Sequence, residues 1–181
     1  MKKQKLIPLK VDWKVSSDGG FTIIMTDDDC DSELRFKAHY RRESILYEQA
    51  KGEQELTQKE IVWMNQNFYK LLIVTFPSGW CKFAPLNEIS KEKIKANFDW
   101  GNIWGLSEQG DLVIFENYVE KFNKKWLQEK VCPDSGFYEV ENSKWIEGIE
   151  LGDKWKLNHY LIFGEHFYAE FLTTELNWAN T

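Results

Sequence analysis

Apolar and polar residues alternate through the first part of the chain. Leu9, Val11, Trp13 and Val15 are separated by polar residues, the period-two pattern of a half-buried strand. Ser16-Ser17-Asp18-Gly19-Gly20 supplies turn chemistry, and Phe21 to Thr26 predicts a second strand. After the acidic loop Asp27 to Ser32, Leu34, Phe36, Ala38 and Tyr40 alternate against Arg35, Lys37, His39 and Arg41. A fourth strand is predicted over Ser44 to Gln49.

The pattern then changes period. Thr57 and Glu60 have the T-x-x-E spacing of a capping box, with Leu56 and Ile61 placed for a hydrophobic staple. Ile61, Met64 and Phe68 continue one helical face. Leu71 to Phe76 predicts a buried strand, which Pro77-Ser78-Gly79 turns back into Trp80 to Phe83. A short helix is predicted over Ser90 to Phe98, and an irregular aromatic loop over Asp99 to Gly110, holding Trp100 and Trp104. Leu112, Phe115, Val119, Phe122 and Trp126 form the apolar stripe of the longest helix, with Asp111 at its N-cap and Pro133 as its stop; the alternative is a strand Leu112 to Phe115 feeding a shorter helix. Phe137 to Glu141 predicts another strand.

The last stretch carries a readable register. Leu157 to Phe163 and His166 to Leu172 are strand-like, and Gly164-Glu165 between them has the form of a type II′ turn. That turn pairs Phe163 with His166 and places His159 opposite Glu170. Tyr160, Ile162, Phe167, Ala169 and Phe171 then share a core face. His159, Leu161, Tyr168 and Glu170 share the other. Strands arranged in hairpins predict an α+β fold: one domain over 1–181, a mostly antiparallel sheet packed against two to three helices.

Composition narrows the function. The chain has 181 residues, 43% hydrophobic and 29% charged, as a globular protein does. A net charge of −6 argues against a nucleic-acid binder, whose affinity comes from neutralising phosphates. It suits a basic protein partner. Nine Trp, seven Tyr and twelve Phe fill a core or an interface. Cys30, Cys81 and Cys132 form neither a disulfide framework nor a zinc pattern, which predicts reduced thiols and a cytoplasmic location. No secretory leader and no membrane span is read.

Several constellations carry candidate chemistry. A carboxylate opposite an imidazole orients it, so His159 and Glu170 are the candidate catalytic pair. His166 lies roughly 13 Å from Glu170 along the strand, so the two histidines cannot share a metal ion. Asp27, Asp29 and Asp31 open like an EF-hand loop, but Ser32 stands where that loop needs Gly and Ala38 where it needs Glu. Neither a metal nor a cofactor is expected. Arg35, Lys37, His39 and Arg41 form a basic stripe that can be solvated, paired with Glu or anion-binding. Cys132-Pro133-Asp134-Ser135-Gly136 reads as a turn, with acidic neighbours that work against a reactive thiolate.

The run from Cys132-Pro133 to Trp145, followed by His159-Tyr160-Leu161-Ile162 and by Trp178, resembles the C-terminal part of uncharacterised bacterial proteins, some of the immunity type that accompany secreted toxins. The resemblance covers the C-terminal third, implies tight binding to a toxin, and carries no particular residue over. The resulting expectation is a non-enzymatic protein-binding module, with Trp100, Trp104 and Tyr168 as binding residues. The alternatives are a small hydrolase or transferase using His159 and Glu170, and a small-ligand binder. A cleft that brings His159 and Glu170 to a Ser or Cys favours the enzyme; a flat acidic or aromatic patch favours the protein partner.

Overall fold

A computed structural model describes residues 3–16, 20–25, 31–52, 54–77, 80–85, 88–100, 112–149, 155–164 and 167–180. The strands are β1 Gln4–Pro8, β2 Lys14–Val15, β3 Phe21–Ile24, β4 Asp31–His39, β5 Tyr69–Pro77, β6 Trp80–Pro85, β7 Phe98–Asp99, β8 Phe137–Glu141, β9 Asn158–Phe163, β10 Phe167–Thr173 and β11 Asn177–Asn180. The helices are α1 Arg41–Lys51, α2 Gln58–Phe68, α3 Glu88–Asn97, α4 Leu112–Glu129 and α5 Lys144–Glu147. The fold is α+β, and of its strand pairings only β1 with β7 is parallel among the described residues.

The strands divide into two sheets. Sheet A runs β6-β10-β9-β8-β1-β7; sheet B runs β11-β5-β4-β2, with β3 also on β4. Alternation explains how they meet. Leu34, Phe36 and Ala38 on β4 and Leu72, Val74 and Phe76 on β5 turn one face of sheet B inward. Phe137, Ile162, Ala169 and Phe171 turn one face of sheet A towards them. Phe76 stacks on Phe171 across the gap, ring centroids 4.6 Å apart. Trp13 meets Phe36 at 5.6 Å and Phe137 at 6.1 Å. The core face predicted for the terminal hairpin is this one.

Sheet A has a second apolar face. Leu6, Tyr138, Val140 and Leu161 are covered by Ile94 of α3 and by Phe98, with Trp100 and Phe163 packed at the margin. A smaller cluster lies under α4, where Phe122 and Trp126 pack with Cys132 and Tyr118. The helical stripe predicted for α4 is present from Phe122 to Trp126. The helix ends at Glu129, and Lys130, with a φ of 58°, follows it before Pro133 is reached.

The capping box forms as its spacing predicts. Thr57 Oγ1 accepts the Glu60 amide at 3.3 Å, and Glu60 Oε2 accepts the Thr57 amide at 2.9 Å. The predicted first strand over Leu9 to Val15 is a strand only at Lys14–Val15, and three further expectations are corrected. Ser44 to Gln49 is helix, not strand: Arg41 and Glu48 pair at 2.8 Å along one face of α1, and Ser44 and Ile45 are buried on it. That helical period outweighs the short β-like run Ile45-Leu46-Tyr47. Next, β5 and β6 do not form a hairpin. Both edges of β5 are occupied, by β4 and β11, so the chain crosses to sheet A and β6 pairs with β10.

The third correction is the register of the terminal hairpin. Phe163 pairs with Tyr168 and His159 with Leu172, two positions from the predicted alignment. Gly164 pairs with Phe167 instead of occupying the turn: its N–H donates to the Phe167 carbonyl at 2.9 Å. It is not among the positive-φ glycines, so it lacks the conformation that a type II′ turn requires of its first residue. Glu165 and His166 lie outside the described residues. Among the described residues, no helix is long and apolar enough to cross a membrane.

Candidate functional site

A register shift of two keeps every side chain on its face, whereas a shift of one reverses them all. His159 and Glu170 therefore remain neighbours, now on a diagonal. Glu170 lies opposite Leu161 on one side and opposite Lys82 on the other. His159 Nε2 is 3.2 Å from Glu170 Oε2. The distance is that of an ion pair, but the ring N–H does not aim along it, so Nε2 has no aligned hydrogen-bond partner.

The other ring nitrogen meets a residue that no sequence pattern singled out as its partner. His159 Nδ1 is 2.8 Å from Ser143 Oγ. Ser143 is the N-cap of α5, and its hydroxyl oxygen accepts the Ile146 N–H at 3.1 Å. Trp145 stands edge-on to the imidazole at 5.5 Å, and Phe98 approaches at 6.5 Å. The histidine side chain is 0% exposed.

Ser143, His159 and Glu170 thus form a row of hydroxyl, imidazole and carboxylate. The row has the residue types of a nucleophilic triad but not its access. Ser143 is 7% exposed and its oxygen is engaged with the first turn of α5. A cavity of about 510 Å³ opens at the far end of the row, and it is lined by Glu170 rather than by Ser143 or His159. The nucleophile would have to act from the closed end. The row ends in a carboxylate at the cavity wall. Gln4 is buried beside it and receives the Lys144 N–H on Oε1 at 2.9 Å.

The cavity also receives Lys82, Lys93, Lys144, Trp145, Phe98 and Tyr168. The Lys82 ammonium lies 3.4 Å from the centroid of the Trp145 ring. Burial pushes the Tyr168 hydroxyl above its ordinary pKa, with the Glu170 charge adding to the effect. Trp100 is half-buried against Phe163 at 5.2 Å, Tyr138 at 6.1 Å and Phe98 at 6.3 Å. It roofs the outer apolar face of sheet A. Trp104 lies outside the described residues.

The remaining constellations have local explanations. Arg35 pairs with Glu33 at 2.5 Å and Arg41 with Glu48. His39 stacks on Tyr69 at 4.1 Å, and the Lys37 ammonium is 4.9 Å from the same ring. Cys132 is buried, which pushes its thiol up to about 12, and burial raises Cys81 to about 11. Neither provides a thiolate near neutral pH. Asp27 and Asp29 lie outside the described residues, among which no group of His, Cys, Asp or Glu is placed to hold a metal ion.

Sequence reasoning missed Trp80 and Phe83 as surface residues. Both lie on the edge strand β6, with exposures of 44% and 62%. The available signal was two large aromatics three apart on one strand, hence on opposite faces of the sheet. Assignment to a hairpin with β5 hid that, among the described residues, β6 is paired on one side only. Comparison with protein-family models, curated proteins and solved structures finds no match to this chain.

Proposed function

We propose that the protein is a non-enzymatic binding module for another protein, of the immunity type that neutralises a toxin. The observation that carries this reading is the edge of sheet A. Among the described residues β6 has a neighbour on one side only, β10, and its Trp80 and Phe83 rings are exposed along that edge. Exposed large aromatics beside an open strand edge are features on which partner chains dock. The net charge of −6 favours encounter with a basic partner. The hydrolase or transferase reading is weakened by the buried position of Ser143 and by its role as a helix cap.

The test compares capture from the native host by the wild-type protein and by the Trp80→Ala/Phe83→Ala variant, read by mass spectrometry. A specific partner retained by the first and lost by the second, with unchanged melting temperature, supports the reading. Equal capture by both, or no partner at all, counts against it.

A further inference from the structure

The cavity at the end of the Ser143–His159–Glu170 row has a charge that the chain as a whole does not. Three lysines, Lys82, Lys93 and Lys144, line it against one acidic residue, Glu170. Lys82 is directly opposite Glu170 in the β6–β10 ladder, a position suited to an ion pair. It does not make one: its ammonium rests over Trp145, while Glu170 is approached by His159 from the buried side. The carboxylate abuts the buried imidazole, and the adjacent lysine rests on the indole at the cavity's edge. Behind Glu170 lies the fully buried His159, whose Nε2 points towards the cavity wall without an aligned partner.

We propose that this cavity binds a small phosphomonoester that carries a flat ring. A phosphomonoester is close to a dianion at neutral pH, which matches the excess of positive charge at the site. Lysine binds phosphate as a point charge, and three lysines reach it from β6, α3 and α5 without a fixed fork geometry. The volume of about 510 Å³ exceeds what a bare phosphate needs and falls in the range of small-molecule sites. Phe98 and Tyr168 supply apolar walls for a ring, while the Trp145 face is covered by the Lys82 ammonium. Glu170 opposes the anion, so its charge weakens binding and sets the affinity. Trp80 and Phe83 do not line this cavity, so the proposal stands apart from the protein-partner reading.

The test is calorimetric titration of the full chain with adenosine monophosphate, with adenosine and inorganic phosphate as comparisons. Saturable binding of the monophosphate is expected, weaker binding of inorganic phosphate, and none of adenosine. Lys82→Gln and Lys144→Gln should each weaken the monophosphate about tenfold, and Glu170→Gln should tighten it by a similar factor. Glu170→Gln is the decisive arm, because loss of folding cannot improve affinity. Failure of the monophosphate to saturate, equal binding of adenosine, or unchanged affinity in Glu170→Gln overturns the proposal. Far-UV circular dichroism of each variant confirms that a lysine effect is not unfolding.

Discussion

The ring of Phe167 lies directly over Gly164. A Cβ added to Gly164 would stand 2.8 Å from Phe167 Cε1, closer than side-chain atoms approach. The glycine is required for this close approach, and the hairpin aligns so as to permit it. Gly164→Ala should therefore lower stability by about 1–3 kcal/mol, the usual cost of overpacking. Phe167→Leu in the same chain should recover part of that loss in denaturant melts. Additive losses would show that the two residues do not meet.

Thr57→Ala should cost about 1 kcal/mol, since its hydroxyl satisfies an amide at the start of α2. Thr57→Ser should retain most of it. Equal losses in the two variants would mean that the cap does not hold.

Glu60 accepts from the Lys51 ammonium and from the Thr57 amide and hydroxyl, and these contacts lower its pKa to about 2. A carboxylate with a depressed folded pKa contributes stability above its unfolded value, lost as pH falls through the folded one. Melting temperature should fall between about pH 4.5 and pH 2, and Glu60→Gln should reduce that slope. An unchanged acid profile in the variant would contradict the assignment.

Asp134 has the opposite sign. Burial raises its pKa, although the Tyr138 hydroxyl donates to it at 2.6 Å and the Gly136 amide at 3.3 Å. Its contribution is present below the ordinary aspartate pKa and is lost as pH rises through the raised folded value. Asp134→Asn keeps an acceptor for Tyr138 without the buried charge. At neutral pH it should be as stable as wild type or more so, in chemical denaturation, whereas a large loss would show that the ionised carboxylate is needed there.

Ser143→Ala should destabilise by about 1–3 kcal/mol, because it removes the cap of α5 and leaves His159 Nδ1 without its partner. Binding at the cavity should change little, since the serine does not line it. Loss of ligand binding with unchanged stability would reverse this assignment.

Trp100→Ala should cost about 2 kcal/mol or more of stability, because the ring packs on Phe163, Tyr138 and Phe98. A thermal melt equal to that of wild type would return Trp100 to the free surface that its glycine-flanked sequence suggests.

What the sequence made legible was local. The T-x-x-E spacing located the start of α2, and alternation from Leu34 to Ala38 separated the buried face of β4 from its charged one. Parity made the His159–Glu170 pairing survive a misread turn, because an even shift preserves faces. What stayed hidden depends on partners far apart in the chain. Nothing near β5 says that β11 will occupy its free edge, and so the Pro77-Ser78-Gly79 segment reads as a hairpin turn. Ser143 reaches His159 only because α5 and β9 pack together. The lysines of the cavity come from β6, α3 and α5, and no spacing rule links them.

The position of β1 within sheet A has a consequence for how the chain reaches this state. Lys5 on β1 pairs with Glu141 on β8, 136 positions away. During synthesis β1 precedes its antiparallel partner β8 and the β9–β10 hairpin behind it by a long stretch of chain. Sheet A cannot form as one run of sequence neighbours, because β1, fifth in its six-strand order, joins an early segment to the late strand β8. Loop closure over that distance must precede the reward of pairing, which slows folding. In the interval the apolar Leu6-Ile7 segment has an open edge, the kind of strand that recruits a wrong neighbour. Refolding yield should fall as protein concentration rises, and a change that blunts the free edge of β1, such as Ile7→Lys, should restore it.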